Sequence, residues 1–102
     1  MEKALKIAQD FEYKGNDWWA WWIWIEGADE DLDRIDHVIY TLHHTFPNPV
    51  RTVRDRPSKF RLSTAGWGVF RIYAKIVDKK GESSNLHHDL ILNYPDGTST
   101  KA

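Results

Sequence analysis

The chain contains no cysteine, which excludes disulfides, thiolate nucleophiles and zinc sites built on Cys. That absence fits a reducing compartment, and the expected setting is the cytoplasm, or the nucleus for a eukaryotic source. Net charge is nearly absent too: 14 Lys and Arg against 15 Asp and Glu leave −1, so no global field draws the chain to nucleic acid or to a membrane. No apolar segment follows Met1-Glu2-Lys3-Ala4, and no signal peptide is expected. The longest apolar stretch, Trp18 to Ile25, is far too short for a spanning helix. Repeats, linkers and low-complexity tracts are also missing, so 102 residues read as one domain, residues 1–102, with a core at about 5–94.

Aromatic bulk is present in quantity. Six Trp, four Tyr and four Phe suit a small domain that must bury much area with few side chains. Leu5, Ile7, Phe11 and Tyr13 share one parity, and Asp10, Glu12 and Lys14 take the other, the alternation of a half-buried strand. Gly15-Asn16-Asp17 reads as a turn. Within Trp18 to Ile25, Trp19, Trp21, Ile23 and Ile25 face one way and Trp18, Trp22 and Trp24 the other, so both faces of a central strand are expected to be covered. Further strands are expected at Val38 to Leu42, Val50 to Val53, Lys59 to Leu62 and Val69 to Val77. Leu86, Leu90, Leu92 and Tyr94 line a last core face. Short strands at this spacing, without a long helical period, predict an all-β sandwich.

Catalytic patterns do not emerge. His43-His44 and His87-His88 are adjacent pairs, and neighbours on a strand point to opposite faces, so no metal site is expected. Asp29-x-Asp31-x-Asp33 superficially resembles a calcium loop, but Arg34 stands where that loop needs Gly and no Glu closes it. Leu32 and Ile35 allow one helical turn in an otherwise solvated acidic connector. The serines stand in no nucleophile elbow, and neither an enzyme nor a cofactor is expected. Trp67 is different, because Gly66 and Gly68 flank it in a way that suits a loop where a ligand approaches the backbone. Arg51, Arg54, Arg56, Lys59 and Arg61, opposed only by Asp55, read either as a solvated edge that discourages strand pairing or as a weak contact for an acidic or nucleic-acid partner.

Two segments carry a resemblance. Leu42-His43-His44-Thr45-Phe46-Pro47-Asn48-Pro49-Val50-Arg51 and Gly66-Trp67-Gly68-Val69-Phe70 resemble the two recognition loops of the YEATS domain. Weaker likenesses lie at Ile25-Glu26-Gly27, at Asp55-Arg56-Pro57 to Phe60, and at His88-Asp89-Leu90-Ile91-Leu92. The resemblance runs from about Leu5 to Tyr94 and departs from familiar members at His44. It implies an immunoglobulin-like antiparallel β-sandwich that reads acylated lysine, acetyl or crotonyl, on a protein or peptide. It also implies roles: Phe46 and Trp67 flank the acyl group, and the Thr45 hydroxyl and the Trp67 backbone N–H hold the amide. His43 braces the loop and borders the channel, Gly68 keeps it open for a longer tail, Gly66 belongs to the binding loop, Phe70 lies near the far end, and Trp18 or Trp19 caps the entrance. Two other readings stay open. A sugar or other flat ligand would need several Trp exposed in a flat row, and a purely structural interaction domain would pack Phe46 and Trp67 shut.

Overall fold

Gly15, Asn16 and Asp17 adopt φ of 92°, 53° and 56°, the left-handed conformations that a tight reversal needs and that these residue types tolerate best. The reversal joins β1 (Lys6–Gly15) to β2 (Trp18–Glu26) with Phe11 opposite Trp21 and Tyr13 opposite Trp19. In the computed structural model, which describes residues 5–99, five further strands follow: β3 (Ile35–Thr41), β4 (Val50–Val53), β5 (Leu62–Gly66), β6 (Arg71–Asp78) and β7 (Ser83–Asp89). They form two antiparallel sheets, β1-β2-β5 and β4-β3-β6-β7. This is the expected immunoglobulin-like sandwich.

Period-two alternation decides what lies between the sheets. Trp19, Trp21, Ile23 and Ile25 on β2 are completely buried, as are Val38 and Tyr40 on β3 and Ile72 on β6. Leu90 and Leu92 join this core although β7 has already ended at Asp89. The other face of β2 departs from expectation. It looks outward from the sandwich, and its cover is local: the Arg61 guanidinium lies 5.0 Å from the Trp22 ring centroid, and Trp24 Nε1 donates to Glu26 at 2.6 Å. Two neighbouring side chains thus supply part of the cover expected for this face, while Trp18 stays 45% exposed.

The stretch after β4 also corrects the sequence reading. No strand forms at Lys59 to Leu62. Arg56–Ser58 makes a 3₁₀ turn with Pro57 in its first turn, and Lys59 and Phe60 both take φ of 60°. Left-handed backbone at a large aromatic costs of order 1–3 kcal/mol and persists only where the surroundings over-determine it. Here the Phe60 ring is fully buried, its N–H donates to Asp55 O, and its carbonyl accepts from the Tyr40 hydroxyl at 2.7 Å. Ile25 N–H donates to Lys59 O, so the reversed loop is tied to β2. The chain re-enters the sheet later, at Leu62. Neither Ser63 nor Ala65 on the outer face of β5 is large and apolar, so the strand carried no alternation to read.

The acidic connector folds into one helical turn, α1 (Asp29–Asp33), with Leu32 buried beneath it. Arg56 holds it from across the loop through Asp33 at 2.9 Å and Asp29 at 3.3 Å.

One polar tie spans the open side of the sandwich. Gln9 Nε2 donates to Ile91 O at 2.7 Å, so its Oε1 is the acceptor for Ile91 N–H and for His88 Nε2 at 2.6 Å. Partial burial depresses the His88 pKa. The folded state therefore favours neutral imidazole, while the unfolded chain takes a proton from about pH 6.5 downward. The stability this provides is complete above that value and falls as the pH drops through it. Urea unfolding at pH 7 and pH 5 is expected to show a lower midpoint at pH 5, with a smaller drop in His88→Gln; an equal drop in the variant would contradict the assignment.

Candidate functional site

The loop between β3 and β4 closes on itself. Leu42 N–H donates to Pro49 O and Phe46 N–H to His43 O. Arg51 clamps the outside of the turn, donating to Asn48 O and Pro47 O at 3.0 Å each. Two prolines and a left-handed Asn48 leave this loop few alternative paths. It comes out beside the turn that follows β5. Together they border a cleft of about 600 Å³ lined by His43, Thr45, Phe46 and Pro47 from the first loop, residues 65–70 from the second, and Trp18 from the start of β2.

All seven residues singled out in the sequence line this one cleft: His43, Thr45, Phe46, Gly66, Trp67, Gly68 and Phe70. Pro47, Ala65 and Val69 line it as well; small or aliphatic types at those places gave no signal of their own. Trp67 is 61% exposed, whereas Phe46 is half-buried and packs on Phe70, ring centroids 5.3 Å apart. The two suggested entrance residues separate. Trp18 lines the cleft and is 45% exposed. Trp19 is fully buried, and its Nε1 donates to Asn93 O at 2.8 Å; the parity of β2 that turns Trp18 outward turns Trp19 into the core, so Trp19 is no cap.

Hydrogen bonding at Thr45 has a direction. His43 Nδ1 lies 2.8 Å from Thr45 Oγ1 and 3.3 Å from the Thr45 backbone nitrogen. A backbone N–H can only donate, so Nδ1 is the acceptor and the hydroxyl also donates to it, with the imidazole proton on Nε2. The hydroxyl hydrogen is thereby engaged, and the oxygen lone pairs at Thr45 remain to accept from a group in the cleft. His44 stacks on His43 at 4.2 Å between ring centroids, a pairing that a loop permits and a strand would not. His87 and His88 sit on opposite faces of β7, exposed and half-buried respectively. Among the described residues, no three His, Asp or Glu side chains converge as metal ligands.

The basic run is dispersed. Arg51 clamps its own loop, Arg54 pairs with Asp36 at 2.9 Å and Arg56 with α1. Lys59 approaches Glu26 at 3.8 Å and Arg61 covers Trp22. Each cation has a local partner, which lends no support to a nucleic-acid surface.

The profile of the prokaryotic YEATS domain, pYEATS, matches residues 19–91. The transcription initiation factor TFIID subunit 14 of Schizosaccharomyces pombe is 42% identical over 65 residues, 62% of this chain and 26% of that protein. The AF-9 homolog of Eremothecium gossypii is 41% identical over 78 residues, 72% of this chain and 36% of that protein. The chain thus spans about a quarter to a third of the curated relatives it matches. Among solved structures, the Yaf9 YEATS domain recognising an H3K122suc peptide is 26% identical, with a TM-score of 0.64 over 94% of this chain and 72% of that one. Relatives with transcription-factor names lend no support to a cytoplasmic setting.

The geometry separates two aromatic walls by their structural role. Trp67→Ala is expected to change unfolding free energy by less than about 0.5 kcal/mol, because its side chain is mostly in solvent. Phe46→Ala, which opens the packing against Phe70 and Trp21, is expected to cost about 1–3 kcal/mol. Chemical denaturation of both variants checks this; equal losses would mean that Trp67 is a core residue.

Proposed function

The chain belongs to the prokaryotic YEATS domain family, and from that premise we propose that it reads acylated lysine on a protein or peptide. The family is one of binding domains rather than enzymes. The observation that carries the proposal is the convergence of Phe46, Thr45 and the exposed Trp67 on one open cleft. Recognition of an acylated peptide by the similar Yaf9 domain supports the same reading.

The chemistry is selective on general grounds. Acylation replaces a hydrated ammonium with a neutral amide and an apolar or flat tail. An ammonium entering this aromatic cleft would lose its hydration, and no Asp or Glu lines the walls to compensate it. In the proposed complex the tail lies between Phe46 and Trp67, where stacking adds about 0.5–1.5 kcal/mol beyond burial. The lone pairs of the Thr45 hydroxyl accept from the amide N–H, which is the direction left to that oxygen once its hydrogen is donated to His43. The Trp67 backbone N–H donates to the acyl carbonyl, and each of these bonds contributes about 1 kcal/mol net. Gly68 keeps the cleft open along the tail, and Trp18 borders its mouth.

Neither rival reading has the same support. The outward row of β2 is not a bare platform for a sugar, since Arg61 occupies one face of Trp22 and Trp24 is bonded to Glu26. A purely structural role expects Phe46 and Trp67 packed shut, whereas Trp67 is the most exposed of the large hydrophobic residues described.

Calorimetric titration with unmodified, acetyl-lysine and crotonyl-lysine peptides tests the proposal. Acylated peptides are expected to bind and the unmodified one not to bind. Trp67→Ala, which keeps the backbone N–H, is expected to weaken binding about 30-fold or more, the roughly 2 kcal/mol of a hot-spot residue. Thr45→Ala is expected to cost about 1–2 kcal/mol. Wild-type protein that binds no acylated peptide would end the reading, and unchanged affinity in Trp67→Ala would remove the pocket assignment alone.

A further inference from the structure

Three tryptophan side chains of β2 can be compared by what their indole N–H does. Trp19 donates to Asn93 O and Trp24 to Glu26. Trp21 is fully buried, and its Nε1 has no acceptor within hydrogen-bond distance. A buried donor without an acceptor is costly and rare enough in native proteins to need a reason. The neighbouring rings of Phe46 and Phe70 stand edge-on at 6.2 and 5.9 Å between centroids, which offers at best a weak contact to π electrons.

The N–H lies directly behind the cleft. A Cβ placed on Gly66 would sit 3.8 Å from Trp21 Nε1 and 3.6 Å from Phe46 Cζ, and both Gly66 and Phe46 line the cleft. Those are ordinary contact distances, and Gly66 does not have the positive φ seen at Gly15, Gly81 and Gly97. Neither crowding nor backbone strain therefore demands glycine at this position. What the missing side chain does leave is the space of a methyl group between the cleft lining and the unpartnered N–H, with the tip of the Phe46 ring as its other near neighbour. Phe46 is half-buried on a loop, and its ring is the neighbour that a ligand reaching for this N–H would have to displace.

We propose that Trp21 Nε1–H is a distal hydrogen-bond donor of the cleft, so that the domain favours acyl-lysines whose tail carries a neutral oxygen acceptor over tails of the same length that are wholly hydrocarbon. This rests on the acyl-lysine reading and goes beyond it by naming the tail chemistry. No Lys or Arg lines the cleft and its one titratable lining side chain is His43, so a carboxylate tail would be desolvated there without a permanent cation beside it. A hydroxyl or carbonyl oxygen carries no such charge and still accepts the bond.

The probes are matched peptides bearing acetyl-, butyryl- or 3-hydroxybutyryl-lysine, the last as each enantiomer, titrated against the whole chain. At least one hydroxy enantiomer is expected to bind about tenfold more tightly than the butyryl peptide, the effect of one hydrogen bond. In a ¹H–¹⁵N spectrum the Trp21 indole cross-peak, assigned through its own side chain, is expected to move downfield with that peptide and to stay in place with butyryl. In Gly66→Ala the affinity ratio should fall to about one, whatever happens to affinity as a whole, since the added methyl fills that space; Trp21→Phe should do the same if it folds. Equal wild-type affinities, a preference without the indole shift, or a shift without a preference would each overturn the donor while acetyl-lysine binding leaves the parent reading intact. If acetyl-lysine does not bind either, the reading itself fails and takes the donor with it.

Discussion

The alternation of β2 is the constraint on which the rest of the molecule depends. Two adjacent inward positions, 19 and 21, hold indoles with no exposure at all, and a pair of rings that size fixes how the sheets can approach each other. Because Trp21 takes the space beneath the cleft, the rings of Phe46 and Phe70 must pack around it at 6.2 and 5.9 Å. Trp19 fills the neighbouring space with Tyr13 and Tyr94, 5.0 and 4.9 Å away. The same parity turns Trp18 out to the mouth of the cleft. A one-residue slip of β2 would exchange the two faces, burying Trp18, Trp22 and Trp24 and destroying core and cleft together.

Around that frame, the two loops that border the cleft are held by different means. The first uses prolines, a self-closing hydrogen bond and the Arg51 clamp on its carbonyls. The second leaves β5 at Gly66 and re-enters the other sheet at Arg71, with Trp67 exposed between them. A loop held in this way would lower the ordering cost of binding the proposed acyl group. His43 belongs to this logic, because its bond to Thr45 aims an oxygen lone pair rather than a hydrogen into the cleft.

Much of this was legible from the residues. Alternation located β1, a dense run of β-formers located β2, β4 has the bounds expected for it, and Gly15-Asn16-Asp17 announced its turn. The two loop motifs named side chains that the fold does bring to one cleft. What stayed hidden has physical causes. Strand β5 pairs through its backbone and has little apolar contrast between its faces, so no period marked it. The strand expected at Lys59 to Leu62 failed because Phe60 is buried from a left-handed backbone, which hydrophobicity cannot report. Assigning Trp19 to the entrance ignored the parity that already placed it inside. The basic run looked like a surface in one dimension, and pairing with Asp36, α1 and Trp22 disperses it in three. The unpartnered N–H of Trp21 depends on which indole finds an acceptor, and that is a property of the packed molecule alone.

A crystal structure of the protein with a crotonyl-lysine peptide tests the central claim most directly. The account predicts the acyl tail between Phe46 and Trp67, its amide within hydrogen-bond distance of Thr45 Oγ1 and the Trp67 backbone nitrogen, and β2 unmoved beneath it. Density for the acyl group on the outer face beside Trp22 and Trp24, or a peptide bound with its acyl chain in solvent, would contradict it.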